Sequence, residues 1–368
     1  MTFRIVNIVD SLDLVNFGIW NAAIASAPEL KRQFGVSSEL VGPAGRWDGS
    51  NYRLSATHFV KSSRQKSLTS LLQQARWNPK DTLIATHGCW RWPTRWGQWL
   101  HQHGYAWVHT PQGMLEPWSL RQRKFRKWAY FRLLERRMLA RCSLLRAVAQ
   151  PELENLTKIF GNRKSIVLIP NGVTLPDLEC GSKTMRSILF LGRLHEKKRP
   201  AALVHAFISS SLHNHAGYEL VIAGPDQGEA SEIREAVKTS ESHNIRLVGA
   251  VYGAEKERLL KASTYFALPS ESEGFPTSVI EAMSYGCLPL ISEGCNFPEA
   301  HRAGMARMIG TIPSEIAPAL ELLRDDTDQA IRAIRAELHA FVSENYTNAT
   351  IAKKQFAIFE ELLARQRS

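Results

Sequence analysis

No stretch of this 368-residue chain approaches the roughly 20 uninterrupted apolar residues that a membrane-spanning helix needs, so an integral membrane protein is not expected. Cysteine is scarce. The five residues, Cys89, Cys142, Cys180, Cys287 and Cys295, are odd in number and scattered, with no C-x-x-C pair and no Cys/His cluster. That pattern argues against a zinc site or a disulfide framework, and reduced, structural thiols are expected. No Asp-x-Asp metal motif stands beside an expected strand end, and no internal repeat or low-complexity stretch occurs. The first ten residues lack a secretory pattern: they run directly into alternating apolar positions with Arg4 among them, which predicts a buried first strand and an intracellular location.

What is present is basic and evenly mixed. Lys and Arg outnumber Asp and Glu by 46 to 35, a formal net charge of +11, which suits phosphate-rich partners or an anionic membrane surface without choosing between them. The length exceeds what one core usually supports, so two domains are expected. Short β-branched runs alternate with helical patterns, as in parallel βαβ architecture. Candidate strands are 3–9, 82–86, 105–109, 145–149 and 166–169, then, after a break, 187–191, 218–223, 245–248, 264–268 and 288–292. The turn-rich Pro170-Asn171-Gly172-Val173-Thr174-Leu175-Pro176 lies between the two series and is the expected crossover. The reading is α/β with domains 1–170 and 171–345, followed by a terminal helix over 346–368 that can pack on either domain, the first being the expectation.

The segment with the most chemistry follows the strand ending at Leu268. Pro276 suits the start of a helix, Gly286 the position past its end, and Val279, Ile280 and Met283 give it an apolar face. Ligands of open α/β sheets collect beyond the carboxyl ends of strands, where the next helix offers N–H groups to phosphate. Gly274, Phe275, Pro276 and Thr277 therefore form a candidate diphosphate seat. Glu273 precedes the helix and Glu281 lies on it, so the two can reach different parts of one extended ligand. Taken alone, such a pair more often reads as a helix-start charge and a solvated helix residue.

The run Glu273 to Ser292, with seven residues between Glu273 and Glu281, resembles the E-x7-E signature of the family 4 retaining glycosyltransferases, which have the GT-B fold of two Rossmann-like domains facing across a cleft. Upstream, Gly192-Arg193-Leu194-His195-Glu196-Lys197-Lys198-Arg199 resembles the family's G-R-L-x-x-x-K-G loop, with Arg199 in the last glycine's place. Two cations beyond a glycine suit a diphosphate whose charge grows as a sugar departs. Ile169 to Val173 resembles the family's I-P-N-G-V linker, the Gly224 strand end its next strand, and Arg246 to Gly249 its base-receiving loop. The resemblance implies diphosphate contacts from Arg193 and Lys198, ribose contacts from Glu281, a sugar-positioning role for Glu273, and base contacts from Gly224, Val248 and Gly249. It also implies a UDP- or GDP-linked donor, no metal or other cofactor, and a glycan or lipid-diphosphate-linked acceptor.

The N-terminal half carries weaker signals. Its first loop offers Asn16 and Gly18 as donor contacts. His87 and His109 fall at strand ends, and His109-Thr110-Pro111-Gln112-Gly113-Met114-Leu115 resembles a P-H-G-M-L or P-R-G-M-L stretch of bacterial polysaccharide transferases, with Gln112 in the His or Arg position. Both histidines are candidates for sugar contact, against the ordinary alternative of structural strand-end histidines. Between Arg121 and Arg137 cations interleave with aromatics. Phe125, Trp128, Phe131 and Leu134 are expected to face the core, with a basic exterior that could meet an anionic bilayer across 121–146. The expectation is a cytoplasmic enzyme, peripheral to the membrane, with no nucleic-acid partner. A nucleotide-sugar epimerase or a phosphorylase shares the architecture, and a non-enzymatic basic binding module would account for the charge alone. Products separate the enzymes: a nucleoside diphosphate with a glycosylated acceptor, an isomerised nucleotide sugar, or a sugar phosphate.

Overall fold

Runs such as Ile5-Val6-Asn7-Ile8 bury both faces at once, as strands of a parallel sheet covered by helices on either side must. The structure is a computed structural model that describes residues 3–13, 16–45, 50–121, 128–178 and 186–367. The chain divides into two units, Met1–Gly172 together with Tyr346–Ser368, and Val173–Asn345.

In the first unit the strands are β1 (Arg4–Ile8), β2 (Ser37–Pro43), β3 (Ala56–Val60), β4 (Thr82–His87), β5 (Ala106–Thr110), β6 (Leu144–Ala147) and β7 (Ile166–Leu168). They form one parallel sheet in the order β3-β2-β1-β4-β5-β6-β7. Val6, Ile84, Trp107 and Leu145 pack with Leu68, Trp96 and Leu156 from the helices Gln65–Ala75, Trp92–Gln102 and Gln150–Phe160. Another core joins Ile5, Leu83 and Val108 to Ile351, Phe359 and Leu363 of the terminal helix Asn348–Arg367, which thus belongs to this unit. Phe34 and Phe356 stack there at 4.1 Å, and the Ser26 hydroxyl donates to Gln355 Oε1 at 2.6 Å. The linker residues are anchored too: the buried Arg146 guanidinium donates to the carbonyls of Ile169 and Pro170 and to Asn171 Oδ1.

In the second unit the strands are β8 (Arg186–Leu191), β9 (Tyr218–Ala223), β10 (Ile245–Gly249), β11 (Tyr265–Leu268), β12 (Leu288–Ile291) and β13 (Arg307–Met308). They too are parallel, in the order β10-β9-β8-β11-β12-β13. Ile188, Phe190, Ile222 and Phe266 are buried in this sheet, as are Val279 and Met283 of the helix Thr277–Ser284. Strand order reverses between β1 and β4 in one sheet and between β8 and β11 in the other. Beyond the carboxyl ends of those pairs the sheet opens a crevice.

Three strands depart from the sequence reading. β2, β3 and the short β13 were not expected, because polar or turn-forming residues break their apolar runs. Glu39, in the middle of β2, is buried and held by Arg4, His58 and the Trp77 indole N–H. The basic helix also differs. Residues 122–127, and with them Phe125, lie outside the described residues. Past them the chain makes a π-helical turn, Phe131–Glu135, before the helix Arg136–Ala140. The wider turn shifts the phase of the 3.6-residue pattern. Phe131 still packs on the core, but Glu135 turns inward, and Trp128 and Leu134, expected to face the core, stand 60% and 53% exposed beside Leu133 at 57%.

Candidate functional site

At the switch point of the second unit, β8 delivers Gly192 and β9 delivers Gly224. Gly224 has φ +149°, and a Cβ there would lie 1.7 Å from the Gly192 carbonyl oxygen, so only glycine lets these strand ends meet. The Gly224 N–H donates to the Gly249 carbonyl at 2.7 Å, which draws the end of β10 into the same backbone surface. Gly249, at φ +85°, faces open space on its Cβ side. The chain then runs through Arg193 into a 3-10 turn, Glu196–Lys198, and reaches Arg199 at φ +56°. That left-handed backbone is what the glycine of the motif normally supplies. Arg199 adopts it at a cost of order 1 kcal/mol, and its guanidinium pairs with Glu271.

This turn carries Lys198 to Glu273. The ammonium donates to Glu273 Oε1 at 2.7 Å, and the Ser270 hydroxyl donates to the same oxygen at 2.7 Å. The two charged side chains are only 14% and 13% exposed. The Glu273 backbone is fixed as well, its N–H donating to the Gly294 carbonyl and its own carbonyl accepting from Asn296. Burial pushes the Glu273 carboxyl upward, but Lys198, Lys197 and the Ser270 hydroxyl outweigh it and hold the group below the usual carboxylate range. It is ionised at neutral pH.

The remaining candidates have separate partners. Arg193 is exposed and donates to Gln227 at 3.2 Å. Glu281 accepts from Lys256 at 2.5 Å. Gly274, Phe275 and Pro276 lead into the helix at Thr277, with Pro276 in the capping position and no acidic residue in the first turn to oppose an anion. Val248 precedes Gly249, the last residue of β10.

In the first unit the structure encloses both strand-end histidines. His87 is 2% exposed and its Nε2 lies 3.2 Å from Asn7 Oδ1. Burial, reinforced by the charges of Arg146 and His109, keeps it well below the ordinary imidazole range. His109 is fully buried, and burial with the charge of Lys164 lowers it to about 3. A directed chain of hydrogen bonds fits that neutral form. The Trp107 indole, which can only donate, reaches Thr86 Oγ1 at 2.7 Å, and Thr86 lies 2.8 Å from His109 Nδ1. With Thr86 donating onward, Nδ1 accepts and the ring proton sits on Nε2, facing Cys89 Sγ at 3.6 Å. Both strand-end histidines, the candidates for sugar contact, are thus buried and neutral in the structure. Asn16 donates to Ser11 at the start of the helix Phe17–Ile24, and Gly18 in its first turn is open to solvent.

What does open to the surface is a groove of about 530 Å³ bordered by Asp10, Asn16, Cys89, Trp90, Arg91 and Met114. Asp10 lies 3.7 Å from Arg91; burial raises its pKa, with Arg91 opposing the shift. Trp90 has φ +73°, an unusual backbone for a bulky residue. The buried Glu135 stabilises it, accepting from the Trp90 N–H at 3.1 Å and from the Thr94 hydroxyl at 2.9 Å. Sequence reasoning missed Asp10, Trp90 and Arg91; their only signal was position just past β1 and β4. Among the described residues, no group of three or more His, Cys, Asp or Glu is placed to hold a metal ion, and no helix is long and apolar enough to cross a membrane.

Known proteins resemble both units. The profile of the group 1 glycosyl transferases matches residues 181–336, and that of a glycosyl transferase 4-like domain matches residues 27–172. A GDP-mannose:cellobiosyl-diphosphopolyprenol alpha-mannosyltransferase of Komagataeibacter xylinus is 26% identical over 54% of this chain and 52% of its own. The O-antigen biosynthesis glycosyltransferase WbnH of Escherichia coli is 31% identical over 50% of this chain and 51% of its own. The chain thus spans about half the length of these curated relatives. Among solved structures, HepE of Anabaena, in complex with UDP and glucose, superposes with a TM-score of 0.77 at 15% identity over 98% of this chain and 100% of its own. WaaG, a glycosyltransferase involved in lipopolysaccharide biosynthesis, does so at 0.70 and 12% identity, over 96% of this chain and 99% of its own.

Proposed function

Because the chain belongs to the group 1, family 4 glycosyltransferases of the GT-B fold, we propose that it moves a sugar from a UDP- or GDP-linked donor to a glycan or lipid-diphosphate-linked acceptor in cell-surface polysaccharide assembly. The observation that carries this reading is the Lys198–Glu273 contact beside the Gly192–Gly224 backbone floor at the switch point of the second sheet. The glycines leave a surface on which a diphosphate can lie against peptide groups, and Lys198, with Arg193, supplies positive charge where the leaving group gains negative charge. Such stabilisation acts most strongly in the transition state and is a large source of rate. Glu273, kept ionised by Lys198, orients the donor sugar; Glu281 takes the ribose hydroxyls; Val248 and Gly249 meet the base through backbone groups.

In this reading the configuration of the sugar is retained. The acceptor hydroxyl attacks from the side the diphosphate leaves, and a phosphate oxygen takes its proton. The groove of the first unit receives the acceptor, with the Trp90 ring under a sugar face and Asp10 and Arg91 bonded to hydroxyls. His87 and His109 support that groove from beneath. The exposed Trp128, Leu133 and Leu134 beside Arg132, Arg136 and Arg137 form the surface that meets an anionic bilayer, where a lipid-linked acceptor resides.

Thermal-shift titration with UDP, GDP and their sugar conjugates tests the reading, since a ligand of the native state raises apparent stability by mass action. One nucleotide is expected to raise Tm, its sugar conjugate to be turned over with release of the nucleoside diphosphate, and EDTA to leave the rate unchanged. An isomerised donor or a sugar phosphate as product would replace this reading with an epimerase or a phosphorylase.

A further inference from the structure

Lys256 lies outside every motif, yet it touches one. It stands in the first turn of the helix Gly253–Ala262, which begins shortly after Val248 and Gly249 at the end of β10, and its ammonium donates to Glu281 Oε1 at 2.5 Å. Glu281 belongs to a different helix, Thr277–Ser284, so the contact joins the end of the base loop to the carboxylate assigned to the ribose. The two side chains are 23% and 26% exposed, enclosed enough to keep one geometry and open enough for a ligand to arrive. Resting on the reading that Glu281 binds ribose, we infer that Lys256 is a positioning residue that presents the second oxygen of that carboxylate to the ribose hydroxyls.

One physical effect supports this role, and a second, competing effect has to be told apart from it. A glutamate has three rotatable side-chain bonds, and freezing them on binding weakens affinity; Lys256 fixes them beforehand. A bare carboxylate beside a diphosphate would also repel it, whereas the ion pair is neutral overall. The first effect requires ribose hydroxyls. The second acts on any nucleoside diphosphate.

Calorimetry with UDP and GDP, each against its 2′-deoxy and 3′-deoxy forms, separates these effects on the full chain. The unaltered protein is expected to bind the ribonucleotide at least about tenfold more tightly than a deoxy form. Lys256→Met weakens the ribonucleotide about tenfold while leaving the deoxy forms within about twofold, and Lys256→Arg restores most of the loss. Glu281→Gln is the reference: it abolishes the ribose preference if Glu281 binds ribose. If Glu281→Gln keeps the preference, or neither nucleotide binds the unaltered protein, the reading of the ribose site falls. If Glu281→Gln abolishes the preference while Lys256→Met keeps it, or weakens ribo and deoxy forms equally, the positioning role is overturned. A Lys256→Met protein with lowered Tm and unchanged affinities would reduce the pair to a link between helices.

Discussion

The two sheets reverse strand order in the same way, yet their switch points are furnished oppositely. In the second unit Lys198 pairs with the ionised Glu273, both partly accessible, beside a floor of glycine backbone. In the first unit the strand-end histidines are enclosed and neutral, and the accessible surface falls to the neighbouring loops, Asp10 after β1 and Trp90-Arg91 after β4. On the proposed reading, a shared crevice fixes where each ligand goes but not what it meets. A diphosphate needs standing charge, whereas a polyhydroxylated acceptor needs an aromatic face and scattered hydrogen-bonding groups.

Breaking the charged side gives the largest expected effect. Lys198→Met or Glu273→Gln should lower turnover of the nucleotide sugar by about 10²–10³-fold, comparable to removing one electrostatic stabiliser of a transition state. Circular dichroism and Tm should show the fold retained; near-normal turnover in either variant would remove the asymmetry between the two switch points.

Next comes the neutrality of the other side. With a folded pKa of about 3 against an ordinary value near 6.5, His109 contributes stability that is complete above pH 6.5 and lost as pH falls toward 3. Denaturant unfolding from pH 6.5 to 5 should lose about 2 kcal/mol through this group, and His109→Asn should flatten that slope. An unchanged slope would show that His109 is hydrated in the folded state.

A smaller effect is expected in the first unit's groove. Trp90→Ala and Asp10→Asn should raise the acceptor KM about tenfold, the scale of a lost stacking or hydrogen-bonding contact, with the donor KM unchanged. Equal rises in both values would mean that the groove also holds the donor. The smallest effect lies on the surface: Trp128→Ala with Leu134→Ser should reduce binding to phosphatidylglycerol vesicles several-fold, measured by flotation, without altering nucleotide affinity.

The same contrast governed what could be read from the chain. The proposed diphosphate side was legible because its residues fall in two contiguous runs, 192–199 and 273–286, whose glycines and charges keep fixed spacing. The proposed acceptor groove is assembled from loops far apart in sequence, and nothing local marks Asp10 or Arg91 as neighbours. β2 escaped notice because Glu39 sits buried within it, compensated by partners at positions 4, 58 and 77. The inward face of the basic helix was misassigned at Trp128 and Leu134 because periodicity assumes 3.6 residues per turn, and the π-helical turn that brings Glu135 to Trp90 departs from it. Lys256 was invisible for a simpler reason: a lysine in the first turn of an amphipathic helix reads as solvated until a carboxylate is seen across from it.

The helix Asn348–Arg367 packs in the first unit's core, so residues 173–345 interrupt in sequence a unit whose two parts flank them. Gly172 lies directly against Asn348, where even a Cβ would stand 2.4 Å from the Asn348 side-chain oxygen. A gene splice from 172 to 346 through a few linker codons therefore spans almost no distance, and the excised interval becomes a cassette. On the proposed reading, exchanging it for the corresponding interval of a glycosyltransferase that matches the same profiles should change the sugar delivered while the host scaffold still selects the recipient.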